Sequence, residues 1–302
     1  MELSVEIYKK FKNFTLEVSF RGDHLALLGA SGSGKSLTLQ AIAGIMTADC
    51  GHIALGDTVL FDSAAHINLP PQERHVGYLF QQYALFPNMT VAQNVAVALR
   101  GEPDIKAQTA EKLRQFRLAA LSKQLPATLS GGEKQRVALA RIFASKPRAI
   151  LLDEPFAALD SYLKWQLEQE LAQTLAAYAG AIVWVSHDRG EVYRNCPQVC
   201  VLEQGRSQPV VPTKALFADP ATVSAARLSG CKNFVSVVPD GNRVRIPDWG
   251  ISLDCGRPVP QEIHSIGLRA GQLYFGTENP ICCTRVRTVE DISQTILSLR
   301  PK

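Results

Sequence analysis

Apolar and polar residues alternate with period two along Leu3-Ser4-Val5-Glu6-Ile7 and again along Thr15-Leu16-Glu17-Val18. That spacing predicts two strands, each with one buried face. Further on the pattern changes: Leu25-Ala26-Leu27-Leu28, Ala149-Ile150-Leu151-Leu152 and Ala181-Ile182-Val183-Trp184-Val185 are short, unbroken apolar runs. Strands buried on both faces of a parallel sheet have this texture. Ile53 to Phe61 predicts two short strands turned at Gly56-Asp57. Helices are predicted over Lys35 to Ala43 and over Tyr162 to Tyr178. The stretch Met89 to Ser145 is helix-rich: Val91, Val95 and Leu99 share one helical face, and so do Val137, Ala140 and Arg141. Strands alternating with helices imply a parallel α/β core, here with a helical subdomain inserted at about 88–145.

Near Gly205 the texture shifts. Pro209, Pro212 and Pro220 mark a linker region, with short helices predicted over Thr213 to Phe217 and Thr222 to Leu228. From Cys231 onward, β-like runs alternate with the turns Asp240-Gly241-Asn242, Pro247-Asp248-Trp249-Gly250 and Arg269-Ala270-Gly271. The expectation is a first domain over 1–230 and a small β-rich domain over 231–302.

Composition narrows the classes. A length of 302 residues suits roughly two domains. The apolar share of 46% and charged share of 20% are those of an ordinary globular protein. The net charge of +4 permits an anionic partner without arguing for one. The seven cysteines are odd in number, irregularly spaced and include no C-x-x-C pair. That speaks against a zinc site and a disulfide framework, and for reduced thiols. Met1 to Phe20 lacks the apolar core of a signal peptide. No run of about 18 apolar residues occurs, so a membrane role is expected to come through a partner.

Gly29-Ala30-Ser31-Gly32-Ser33-Gly34-Lys35-Ser36 fits the phosphate-cradling pattern G-x-x-x-x-G-K-[ST]. It lies between a predicted strand and a predicted helix. Backbone N–H groups freed by the glycines can turn toward phosphate oxygens, and the helix N-terminus adds partial positive charge. Lys35 would bridge the β- and γ-phosphates, and Ser36 would ligate Mg²⁺. At the end of a buried run, Asp153 and Glu154 emerge where α/β sheets place their sites. Asp153 can hold Mg²⁺ through water, and Glu154 can polarise an attacking water. Leu129-Ser130-Gly131-Gly132-Glu133-Lys134-Gln135-Arg136 opens a helix and reads as a second anion-ready N-terminus.

In this order the three motifs resemble those of the nucleotide-binding subunits of ABC transporters, over residues 1 to about 230. The resemblance implies a P-loop NTPase core with an inserted helical subdomain, followed by a small all-β, OB-like domain. Nucleotide would be held by Gly29, Ala30, Ser31, Gly32, Ser33, Gly34, Lys35, Ser36 and Leu37, with Phe11 or Phe14 stacked on adenine and Phe11 preferred. Gln81, with Gln82 beside it, resembles the Q-loop glutamine that touches the metal or its water and reports to a membrane partner. His187 resembles the switch histidine at the γ-phosphate. Ala157-Ala158-Leu159-Asp160 resembles the D-loop, with alanine at 157 where the family usually has serine. Ser130, Gly131, Gly132 and Glu133 resemble the signature presented to the nucleotide of a second, head-to-tail subunit.

The implied cofactors are ATP and Mg²⁺. The implied partners are a second copy of the chain, integral-membrane permease subunits and a periplasmic or extracellular substrate-binding protein, with no nucleic acid. The implied location is the cytoplasmic face of the membrane. Ala226 to Asn233, Ile266 to Ala270 and Val289 to Ile292, with Leu297 to Arg300, resemble molybdate/tungstate importer ATPases. Sulfate, iron and polyamine importers share the cassette. A non-transport ABC ATPase and an anion-responsive regulator are readings from other classes. The tail looks shorter than the family's usual regulatory domain.

Overall fold

The alternating segments at the N-terminus pair with each other as antiparallel strands β1 (Leu3–Lys10) and β2 (Thr15–Gly22). Leu3, Val5 and Ile7 turn to the same side as Leu16, Val18 and Phe20, and all six are buried. This fold is seen in a computed structural model that describes residues 1–157, 161–268, 281, 283–290 and 295–301. These residues fall into two units, Met1–Pro220 and Ala221–Lys302. The sequence-based boundary at 230 lies beyond that division, at the end of a helix that belongs to the second unit.

In the first unit, β3 (His24–Leu28) leads through the Gly-rich turn into α1 (Lys35–Ala43). The strands β4 (Cys50–Leu55), β5 (Thr58–Asp62) and β6 (Ile67–Asn68) extend the antiparallel part. The β4–β5 turn falls at Gly56-Asp57, as the sequence predicts. Then come β7 (Val76–Leu79) and the helices α2 (Val91–Ala96), α3 (Ile105–Gln115) and α4 (Gly131–Ala144). The chain returns through β8 (Ala149–Asp153), α5 (Ser161–Ala176), β9 (Ala181–Ser186), α6 (Arg189–Asn195) and β10 (Gln198–Glu203). Short strands β11 (Arg206–Ser207) and β12 (Val211–Pro212) and the helix α7 (Thr213–Ala218) complete the unit.

One sheet runs through the whole unit in the order β6-β5-β4-β1-β2-β11-β10-β3-β9-β8-β7. Its second half, β10-β3-β9-β8-β7, is entirely parallel. Every residue of β8 and β9 is buried, which explains their unbroken apolar sequences. The parallel half contains two strands the periodicity did not predict, β7 and β10. Val199 to Leu202 is an apolar run as clear as the others, whereas Gly77-Tyr78-Leu79 is too short to stand out.

Helix α1 packs Leu39 and Ile42 into the same core as the inner faces of β1, β2 and β3. Its last turn is capped from outside by Arg74, which is 2% exposed. Arg74 donates to the carbonyls of Ala41 at 2.7 Å and Ile42 at 2.8 Å. A cation on carbonyls at a helix C-terminus is favoured by both hydrogen bonding and the helix dipole. Arg74 thereby anchors the far end of the helix whose near end forms the site.

The second unit begins with α8 (Val223–Ser229). Strand β13 (Asn233–Ser236) pairs with the later β17 (Ser265–Leu268). Between them β14 (Val238–Asp240), β15 (Arg243–Ile246) and β16 (Ile251–Asp254) form an antiparallel meander. β18 (Cys283–Glu290) and β19 (Thr295–Pro301) pair antiparallel. The turn expected at Arg269-Ala270-Gly271 lies outside the described residues. The unit has its own small core of Val235, Val237, Val244, Ile246 and Leu253, with Trp249 and Ile266 packed against it. Among the described residues no helix is long and apolar enough to cross a membrane.

Candidate nucleotide site

The first unit gathers its chemistry at the C-terminal ends of the parallel strands, where β3, β8 and β9 stop side by side. After β3 the chain turns tightly. A Cβ on Gly29 would lie 2.4 Å from the Leu202 carbonyl oxygen and 2.6 Å from Ser33 Oγ, so only glycine fits. Gly34 holds a left-handed backbone, φ 105°, at the N-cap of α1, and no side chain caps that helix. Its N-terminal N–H groups therefore face the turn rather than a capping oxygen.

Lys35 is 6% exposed. Its Nζ donates to the carbonyls of Gly29 at 2.8 Å and Ala30 at 2.9 Å. Burial lowers its pKa, opposed by the nearby carboxylates of Glu154 and Asp153. Ser33 Oγ is buried with no hydrogen-bond partner among the described residues. Leu37 is half-buried and packs on the core.

Ser36 Oγ donates to Asp153 Oδ1 at 2.8 Å, which joins the start of α1 to the end of β8. The other carboxylate oxygen, Oδ2, accepts from the Tyr78 hydroxyl at 2.8 Å. Burial pushes the Tyr78 pKa up, with the Asp153 charge adding to it, so Tyr78 is a donor throughout the ordinary pH range. Sequence reasoning missed Tyr78 because its strand, β7, was not predicted. A hydroxyl and one carboxylate beside a phosphate-cradling loop are hard oxygen donors of the kind Mg²⁺ takes when phosphates supply the rest. No cluster of three or more His, Cys, Asp or Glu exists among the described residues to cage a metal by protein alone. The donor set thus fits Mg²⁺.

Glu154 sits one residue past β8 with φ 47°. Its N–H donates to the Val185 carbonyl at 3.0 Å, which ties the end of β8 to β9. Its Oε2 lies 3.2 Å from His187 Nδ1, so two residues far apart in sequence meet. His187 follows β9 directly and is exposed. Strained backbone in the left-handed region is frequent at functional sites.

Gln81 and Gln82 are both exposed, just after β7. No hydrogen bond or ion pair joins Gln81 to the phosphate-cradling turn among the described residues. What the structure does show is how their loop is held. Tyr83 and Ala84 both have positive φ, and Arg141 of α4 donates to their carbonyls at 3.2 and 2.9 Å. The Arg141 guanidinium also lies 5.3 Å from the Phe86 ring centroid. Asn94, fully buried on α2, donates to the carbonyls of Phe86, Met89 and Thr90 and accepts from Phe86 N. Neither Arg141 nor Asn94 was legible as a loop clamp from sequence.

Ser130 is the N-cap of α4. Its Oγ lies 2.7 Å from Glu133 Oε2 and accepts from Glu133 N at 3.4 Å, while Ser130 N donates to Glu133 Oε2 at 2.7 Å. These bonds hold the Glu133 pKa below its ordinary value, the Ser130 hydroxyl contributing most. The structure therefore does not bring Ser130, Gly131, Gly132 or Glu133 onto the chain's own phosphate-cradling turn. They satisfy their own helix end, and Gly132 is buried.

Asp160 lies outside the described residues, and Ala157 is exposed. The Phe11 and Phe14 rings are 6.0 Å apart and tilted by 42°. Phe14 is committed to packing, because its ring fills the space beside Gly34 and Gly205. Phe11 is also packed against the core, with Lys9 Nζ 5.8 Å from its ring centroid.

Fold and site together define a P-loop nucleotide-binding protein. A family profile described as ABC transporter matches residues 11–157. The molybdate/tungstate import ATP-binding protein WtpC of Pyrococcus horikoshii is 36% identical over 97% of this chain and 87% of its own length. The spermidine/putrescine import ATP-binding protein PotA of Methylococcus capsulatus is 39% identical over 82% of this chain. The match spans only 63% of that relative's length. Other relatives are import ATP-binding proteins for Fe(3+) ions and for sulfate/thiosulfate. Among solved structures, a dimeric ATP-binding cassette in a post-hydrolysis state with ADP and Pi superposes with a TM-score of 0.58 at 26% identity. That superposition covers 70% of this chain and 98% of the other. The chain belongs to the ABC transporter family.

Proposed function

We propose that this chain is the ATP-hydrolysing subunit of an importer. It would work as a head-to-tail homodimer beneath separate permease subunits at the cytoplasmic face of the membrane, fed by a substrate-binding protein. The observation that carries the hydrolysis is the meeting of Glu154 and His187 beside the Ser36–Asp153 pair. Ser36 and Asp153 would hold Mg²⁺, with Gln81 closing on it, and the metal would neutralise charge on the β- and γ-phosphates. Lys35 would exchange its carbonyl partners for phosphate oxygens. Glu154 would orient and polarise the attacking water, with His187 at the γ-phosphate. Ser130 through Glu133, and Asp160, would act across the dimer on the partner's nucleotide. Phe11 would stack on adenine.

Molybdate or tungstate is the favoured cargo. The similarity to WtpC runs through nearly the whole chain, including residues after 220. A polyamine importer is the second reading, favoured by the higher identity to PotA. In the first reading the second unit is a small regulatory-type β domain.

The decisive experiment replaces Glu154 by Gln. ATP binding should persist, hydrolysis should fall at least about a hundredfold, and an ATP-bound dimer should accumulate on size exclusion. Turnover near that of the wild type would sink the assignment. Cargo is read separately, by ATPase stimulation in the reconstituted complex with molybdate, tungstate, sulfate or spermidine.

A further inference from the structure

We propose that Lys164 of α5 is a positioning residue for the hydrolysis proposed above: it locks the turn that carries His187, and so sets the His187–Glu154 contact. The inference rests on that reading of the two residues. Lys164 Nζ lies 2.6 Å from Asp188 Oδ2 and 2.6 Å from Glu191 Oε1. The Glu191 side chain is 4% exposed. Asp188 is about a third exposed and Glu191 is buried, and a cation lying between them offsets the cost of keeping the buried carboxylate away from water. Arg194 also acts on both carboxylates through its charge, but its hydrogen bonds go to Glu168 at 2.7 and 2.8 Å.

The remaining oxygens of both carboxylates are spent on the same turn. Asp188 Oδ1 caps α6, accepting from Gly190 N at 2.7 Å and Glu191 N at 3.3 Å. Glu191 Oε2 accepts from Ser186 Oγ at 2.7 Å, and Ser186 Oγ accepts from Asp188 N at 2.9 Å. Both neighbours of His187 are therefore tied down, whereas its own side chain is 60% exposed. The imidazole is aimed by the backbone of this turn rather than by packing around the ring. Lys164 fastens the turn to α5, the helix that starts immediately after the Asp160 segment in the sequence. A shift at either end of this bridge moves His187 relative to Glu154.

The test compares full chains: wild type, Lys164→Arg, Lys164→Met, and Lys164→Met with Glu191→Gln. Lys164→Met leaves a buried carboxylate unpaired and should lower the melting temperature. In the double variant that charge is gone, while the new amide oxygen still offers Ser186 an acceptor. The melting temperature should then return toward wild type even if the single variant fails to fold. Its kcat should nevertheless remain at least about tenfold low, because misplacing a group by about 1 Å can cost about 10²-fold. ATP Kd should stay within about twofold, since the substitutions leave the phosphate-cradling turn at Gly29 to Ser36 untouched. Lys164→Arg should retain kcat within about threefold, because the guanidinium can span both carboxylates.

A double variant with restored kcat would show that the bridge only stabilises the fold, and would overturn the proposal. An Arg variant as slow as the Met variant, or a kcat loss matched by an equal loss of ATP affinity, would do the same. Amide hydrogen exchange over Val185 to Gly190 reads the bridge without hydrolysis. It should quicken in the double variant and stay unchanged over Gly29 to Ser36; no change over the turn would also overturn the idea. If the wild type does not hydrolyse ATP, the proposed function fails, and the exchange rates alone then decide the case of Lys164.

Discussion

The helices α1 and α4 both start at a Gly/Ser turn, yet their N-termini are finished in opposite ways. At α1 the cap is Gly34, left-handed and with no side-chain acceptor. At α4 the cap is Ser130, extended, with a reciprocal capping box to Glu133. A helix leaves its first N–H groups without intrahelical partners, and a Ser–Glu box satisfies two of them locally. The first terminus forgoes that stabilisation and leaves its N–H groups without a side-chain acceptor. At the second, an anion that engages the Ser130 hydroxyl must compete with Glu133. The first terminus is open to an anion, and the second is stabilised by its own side chains.

Closing the open terminus should have the largest effect. Gly34→Ala would place a Cβ 2.5 Å from Leu16 Cδ1 at φ 105°. Left-handed strain in a non-glycine residue costs about 1–3 kcal/mol before any clash is counted. Both the chemical denaturation midpoint and ATP affinity should fall. If calorimetric titration finds unchanged affinity, α1 is not the phosphate-facing terminus and the contrast with α4 collapses.

Removing the cation behind that terminus should come next. Lys35→Ala deletes a charge-assisted contact worth on the order of 1.5–3 kcal/mol. ATP affinity should drop at least about tenfold with little change in the denaturation midpoint. A loss of stability without a loss of affinity would mean that Lys35 serves the Gly29 and Ala30 carbonyls and nothing more.

The smallest effect belongs to the closed terminus. Ser130→Ala should cost about 1 kcal/mol of stability, the usual worth of an N-cap, and leave monomer ATP affinity unchanged. The pH dependence follows from Glu133, whose folded pKa is held below its ordinary value of 4.5. Stability from a depressed carboxylate is present above the unfolded pKa and lost as pH falls through the folded one. The gap in denaturation midpoint between wild type and Ser130→Ala should therefore narrow below about pH 4. A gap that stays constant with pH would show that the box does not depend on the ionised carboxylate.

Much of this site could be read from the chain alone, because its local elements carry their own chemistry. The phosphate-cradling turn needs glycines in order, and the carboxylates Asp153 and Glu154 follow an apolar run that can only be a buried strand. Side chains that act through long-range contacts were not legible. Arg74 on the end of α1, Tyr78 on Asp153, Arg141 under the Tyr83–Ala84 turn and Lys164 on Asp188 and Glu191 join elements whose packing no local pattern records. The Ser-Gly-Gly turn is different: it reads as anion-ready like the first, and its pairing to Glu133 is a local S-x-x-E contact that the structure shows occupied.

Local spacing and residue type determined most of the strands and helices, which turn fits the phosphate-cradling pattern and which carboxylates stand at a strand end. Those follow from periodicity, backbone freedom at glycine and the placement of apolar runs, all of which act within a few residues. The tertiary structure decided that Glu154 meets His187 and that Ser36 and Tyr78 share one carboxylate. Both depend on the register of parallel strands joined through long crossovers, and that register is set by the packing of the whole sheet rather than by any segment of the chain.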